Sequence, residues 1–154
     1  MTDIREDIVS AYMTRLQTIT TGNGYRTTID TVERGYRDPS EVGASERPYI
    51  GVVPGRESYQ DEPGRVVTMW SIALACYLTA SAATPAAVIA SLSNLAADIR
   101  KALYASPENL SVDQMIFARV VSREGNEGLV EAAKTKNATM VIGTVAKFWE
   151  DATG

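Results

Sequence analysis

The chain has 154 residues, 45% of them hydrophobic and 22% charged, with a formal net charge of −4. That length and balance specify one folded domain with its own core and exclude wholesale disorder. The acidic excess argues against a protein whose main work is gripping phosphate backbones. Histidine is absent and Cys76 is the single cysteine, which excludes an internal disulfide and any Ser-His-Asp or Cys-His nucleophile, and leaves a zinc or iron–sulfur site almost nothing to be built from. Met1 to Asp7 is acidic and lacks an apolar run, so no secretory signal and synthesis in the cytoplasm are expected.

Asp3-Ile4-Arg5-Glu6 has the form of a helix N-cap followed three residues on by Glu. Ile4, Ile8, Tyr12, Leu16 and Ile19 then recur at helical spacing until Gly22-Asn23-Gly24, which predicts an amphipathic helix of about five turns. Tyr25 to Tyr36 is rich in Thr, Ile, Val and Tyr and suits a strand. Its Ile29 and Val32 have opposite parity, so a bulge or an edge position is expected. Residues 37 to 47 read as a charged loop with the turn chemistry of Asp38-Pro39-Ser40 and Gly43-Ala44-Ser45. Pro48 to Val53 is a short strand, and Pro54 to Gly64 a second charged loop.

Between Arg65 and Asp98 no side chain is charged. Val66, Trp70, Ile72, Leu74, Cys76 and Leu78 share one parity, opposed by Met69, Ser71, Ala73, Ala75 and Thr79, which is a long strand with a large-residue and a small-residue face. Beyond Ser81 to Pro85, Val88, Leu92, Leu95, Ile99 and Leu103 form one face of a helix. Val66, Trp70, Leu74, Tyr77 and Leu78 also fit a helical stripe, so periodicity leaves a helical hairpin open; the β-branched Val66-Val67-Thr68 after Gly64 favours the strand. A membrane hairpin needs ~20 apolar residues per span, and both arms are shorter and interrupted by Ser71, Thr79, Ser91, Ser93 and Asn94. Gln114 to Ser122 is apolar on both parities and is expected to be a central strand. A loop with Gly125-Asn126 and Gly128 follows. Residues 132 to 149 form a long last element whose polar first half, with Lys134 and Lys136, projects as an arm within 123 to 139. The sum is an α+β domain over residues 1 to 154: a mainly antiparallel sheet of about four to five strands with two helices packed on it, in the order α-β-β-β-α-β-β.

Little in the sequence points to chemistry. Gly22-Asn23-Gly24 lacks the Gly-Lys-Ser/Thr of a phosphate loop and follows a helix, so it reads as a helix stop. Asp61-Glu62 has the groups for a divalent cation or for acid–base work, but sits among arginines as a solvated turn would. Trp70 reads as core and Trp149 as an interface residue. No catalytic, cofactor or metal residue is assigned.

The order of elements resembles the tail terminator (tail completion) proteins of long-tailed bacteriophages over nearly the whole chain. The likeness is carried by the opening helix ending in Gly24-Tyr25, by Thr31-Val32-Glu33-Arg34, by Pro48-Tyr49-Ile50-Gly51-Val52 and by the long apolar strand. The second helix with Ala97-Asp98-Ile99-Arg100-Lys101-Ala102-Leu103, and a glycine-bearing loop before a long final strand, complete it. The resemblance implies a virion protein without enzymatic role, made in the host cytoplasm and located at the head-proximal end of the tail. It implies a homo-oligomeric, usually hexameric ring that caps the tail tube, stops its polymerisation and offers a surface to a head-completion or connector protein, with DNA passing through unbound. A closed ring needs two different complementary patches per subunit. The candidates are Arg37, Asp38, Glu41, Glu46 and Arg47 against Arg56, Glu57, Asp61 and Glu62, with Lys134, Lys136 and Trp149 as further interface residues. The small-residue strand face at Ala73, Ala75 and Tyr77 is expected to be free for a neighbour, so a charge at Ala75 should damage assembly more than folding. Two other readings stay open: another head–tail connector, neck or tail-tube component, and a small cytoplasmic α+β enzyme or ligand-binding domain using the Asp61/Glu62 loop.

Overall fold

Helix α1 spans Ile4–Gln17. Asp3 is its N-cap and accepts the Arg5 N–H at 2.8 Å, satisfying one of the donors a helix start leaves open. Glu6 turns instead to Arg34, 2.6 Å away. The helix is a turn shorter than its periodicity suggests: Thr18 caps it, and a 3₁₀ turn at Thr21–Asn23 closed by a left-handed Gly24 carries the chain onward. The computed structural model describes residues 3–79, 84–125 and 137–152.

Among the described residues, four further strands and a second helix follow the short strand β1 (Thr31–Arg34): β2 (Tyr49–Glu62), β3 (Arg65–Thr79), α2 (Pro85–Tyr104), β4 (Met115–Gly125) and β5 (Asn137–Asp151). They form the α+β order read from the sequence, in one sheet ordered β1-β2-β3-β5-β4. The β1–β2 pair is parallel and the other three are antiparallel. The long uncharged strand is the middle of the sheet, and its helical-hairpin reading is set aside.

Both helices lie on one face. Ile8, Tyr12 and Leu16 of α1 and Val88, Leu92, Leu95 and Ile99 of α2 share a buried core with Trp70, Ile72, Leu74 and Cys76 of β3 and with Met140, Ile142 and Phe148 of β5. One polar chain crosses this core. Thr144 Oγ1 donates to the Ile72 carbonyl at 2.7 Å, so the Tyr12 hydroxyl, 2.8 Å from Thr144 Oγ1, is the donor to it. Burial raises Tyr12 above the ordinary tyrosine range.

Several expectations are corrected. Residues 25–28 do not pair in the sheet because Asp98 on α2 takes the N–H groups of Arg26 and Thr27 at 2.8–3.1 Å and holds them against the helix; β1 is accordingly shorter than expected, while the edge position expected for it holds. Residues 54–62 are strand, not loop. After a register shift between Pro54 and Glu57, they pair with Arg65 to Trp70 through a turn in which Gly64 has φ 79°. This end of the hairpin runs past the helices, most of its residues are exposed, and the alternation that marks a half-buried strand is missing. β4 is an edge strand rather than a central one. It is apolar on both parities because two register shifts move its side chains between faces, leaving Ile116 and Val121 exposed while Met115 and Ala118 enter the core. Within the expected arm, Asn137 to Thr139 pair with Thr79 to Tyr77 as sheet; residues 126 to 136, with Lys134 and Lys136, lie outside the described residues.

Candidate functional site

The face of the sheet away from the helices is where most of the candidate residues collect. Half of it is covered by the chain itself. Residues 35 to 47 cross the upper ends of β2 and β3 as two 3₁₀ turns, Pro39–Glu41 and Ala44–Glu46, and place Val42 on Tyr49, Ala75 and Tyr77. The Tyr49 and Tyr77 rings stack at 5.3 Å and 5°. Gly51, beside the Tyr49 ring, has no room for a side chain: an added Cβ would lie 2.7 Å from the Gly35 carbonyl and 3.2 Å from the Tyr49 hydroxyl. Ala75 is therefore 4% and Tyr77 3% exposed. The expectation that they form a free face is overturned, and a charge at Ala75 would enter a closed apolar cluster and act on folding.

The first set of charged candidates holds this cover in place. Arg37 donates to Glu33 at 3.0 Å, to both oxygens of Glu46 at 3.1 Å and to the Glu41 carbonyl at 2.8 Å, and lies over the Tyr49 ring. Asp38 caps the first 3₁₀ turn through the Ser40 N–H and hydroxyl, which hold its carboxyl below the usual range. Glu46 is held low by Arg37 and then by the Gly43 N–H. Arg47, 8% exposed, donates to the carbonyls of Val42, Leu78 and Pro39 at 3.3, 3.1 and 2.9 Å, and burial pulls it below the ordinary arginine value. Burial first, and then the Glu33 carboxylate that accepts its hydroxyl, push Tyr49 up to about 12. Arg37, Glu46 and Arg47 turn toward the cover and the sheet, while Asp38 and Glu41 are exposed.

The second set lies at the other end of β2. Glu57 accepts from Arg5 at 2.7 and 2.8 Å, and the same guanidinium reaches Glu150 at 3.2–3.3 Å. This ties α1 to the hairpin and to β5. Arg5 holds Glu57 below the usual carboxylate range. Glu62 pairs with Arg65 at 2.8 Å, whose guanidinium lies 5.8 Å from the ring centre of the half-buried Trp149. Asp61 and Glu62 are neighbours on a strand, paired with Val66 and Arg65, so their carboxylates leave on opposite faces and do not converge. Arg56 and Asp61 are exposed. The two sets are not brought together within one subunit.

What remains open is the lower and outer part of the same sheet face, with Met69, Val121 and Val141 exposed and Ala73, Val145 and Phe117 half-buried. An open recess of about 400 Å³ lies between Tyr36, Tyr77 and Val141, with Glu124 on its rim. Sequence reasoning missed Tyr36, Val141 and Glu124, because a single exposed aromatic in a turn and a valine on a strand carry no periodic signal. Among the described residues no group of three or more His, Cys, Asp or Glu is arranged to hold a metal, and no helix is long and apolar enough to cross a membrane. A scan of the chain against protein-family models matches no family, and a search of curated proteins finds no match.

Proposed function

We propose that the chain is a structural subunit of a ring that caps a bacteriophage tail tube, stops its polymerisation and presents a surface to the head connector. The observation that carries the reading is a two-layer domain whose helices cover one sheet face while the other keeps an exposed apolar area on β3, β4 and β5. Such an area on a small domain marks a protein contact, and a subunit with an unlike surface on each side suits a closed ring. The resemblance in element order to tail terminator proteins supplies the identity of the ring. Its partners are further copies of itself, the tail tube protein and a head-completion protein, at the head-proximal end of the tail. The net charge of −4 suits a ring that DNA traverses without being held. The test is electron microscopy of tails assembled with and without the protein. Overlong tubes that fail to join heads are expected in its absence; tails of normal length and joining ability would overturn the proposal. Tight, salt-sensitive DNA binding by the purified protein would contradict the passage of DNA unbound.

A further inference from the structure

We infer that copies associate head to tail, the outer face of α2 on one copy seated on the open sheet face of the next; the inference rests on the ring reading above. The two surfaces lie on opposite sides of one domain, because α2 packs on the covered face of the sheet. Each has an uncharged centre with charged residues at its margins. On α2 the outward positions Ala86, Ile89, Ala90, Ser93 and Ala97 recur at helical spacing, with Ile89 49% exposed. On the sheet, Val141 is likewise 49% exposed and borders the recess between Tyr36 and Tyr77, which has room for a projecting aliphatic side chain.

Charge complementarity argues for a second copy as the occupant. Beside the outer face of α2, Arg100 is exposed and Arg123 lines the same groove between α2 and β4. Directly through the sheet, Glu124 pairs with Val141 on the open face and is exposed there. At the hairpin end the signs reverse. The helix side carries the exposed Asp7 beside the Glu6–Arg34 pair, and the open face carries Lys147 over the Phe117 ring, with Arg119 at the sheet edge between Phe117 and Tyr104 and paired with Glu108. Stacking the helix side of one copy on the sheet side of the next therefore brings unlike charges together at both ends. Pairing of either face with itself about an axis along the strands would place like charges together. About an axis across the strands it would match them, but a patch that meets itself closes a dimer and leaves the other face open, which does not make a ring.

The test uses two variants of the full chain, Ile89→Glu and Val141→Glu, with mass followed by sedimentation over a range of concentration. Both side chains are half exposed, so circular dichroism and melting should stay close to wild type. The wild type is expected to form species larger than a dimer, and each variant alone to be monomeric. Mixed in equal amounts, the variants should form a one-to-one dimer and stop, because each retains the one surface the other has lost. Arg100→Glu and Glu124→Arg should each weaken association at least about tenfold by juxtaposing like charges, and the double reversal should restore it. Association of Ile89→Glu by itself, absence of a dimer in the mixture, single reversals without effect, or a double reversal weaker than either single would overturn the inference. So would a wild type that stays monomeric at its highest soluble concentration; the tail-length experiment would still decide the proposed function on its own.

Discussion

Replacing Arg47 by methionine keeps most of the side-chain volume and removes the guanidinium that pins residues 35 to 47 to the sheet. The carbonyls of Val42 and Leu78 are buried where they meet Arg47, and each would lose a charged donor. A buried carbonyl left unpaired costs about 1–3 kcal/mol, so two cost about 2–6 kcal/mol. Relief of the desolvated guanidinium acts in the opposite sense, which brings the expected loss to about 3 kcal/mol. Against a total stability of about 5–15 kcal/mol, that is a large share. For a domain of this size it lowers the melting temperature by roughly 6–12 °C. Thermal unfolding followed by circular dichroism measures it, and the near-ultraviolet signal of the Tyr49–Tyr77 stack should weaken before the far-ultraviolet signal is lost. Arg56→Met on the exposed hairpin is the control and should change stability by less than about 0.5 kcal/mol. Equal shifts for the two variants would refute the claim that Arg47 is a clamp for this segment.

Arg5→Ala removes the link from α1 to Glu57 and Glu150 and should cost about 1 kcal/mol at neutral pH, since the pair is partly exposed. Because Arg5 lowers the Glu57 pKa in the folded state, its contribution is complete above the unfolded carboxylate value of about 4.3 and fades as pH falls through the folded value. Denaturation of wild type and variant across the acid range should therefore converge below that point; a gap that widens with acid would contradict the pairing. Cys76 is fully buried and burial raises its thiol far above the ordinary range, so a thiol reagent should label it stoichiometrically in denaturant and leave the native protein unlabelled over the same time. Rapid native labelling would show that the centre of β3 is open.

The parts of the fold legible in the sequence were those whose two faces carry residues of different size or polarity. α1 and α2 each bury a single stripe, and β3 turns its large residues to the same core and its smaller ones to the other face; their periods gave the α+β order and the middle strand. The hairpin from Pro54 to Glu62 was illegible because it extends past the helices and neither face is buried deeply enough to impose alternation. β4 misled in the other direction: its two register shifts turn apolar residues to both faces, and an edge strand imitates a central one. The candidate site divided similarly. Charge density in residues 37 to 47 marked a segment with a role, but sequence alone does not tell an arginine that binds a partner from one that chelates its own carbonyls, and Arg37 and Arg47 do the latter. The surface left for a partner instead carries Val141, Ile89, Glu124 and Arg100, ordinary residues whose meaning comes from which side of the sheet they occupy.

The most direct test of the central claim is the length and joining competence of tails assembled without this protein, seen by electron microscopy. The ring account predicts tubes that grow past the normal length and fail to join heads, with both defects repaired when the purified protein is added back. Tails of normal length that join heads in its absence would contradict it.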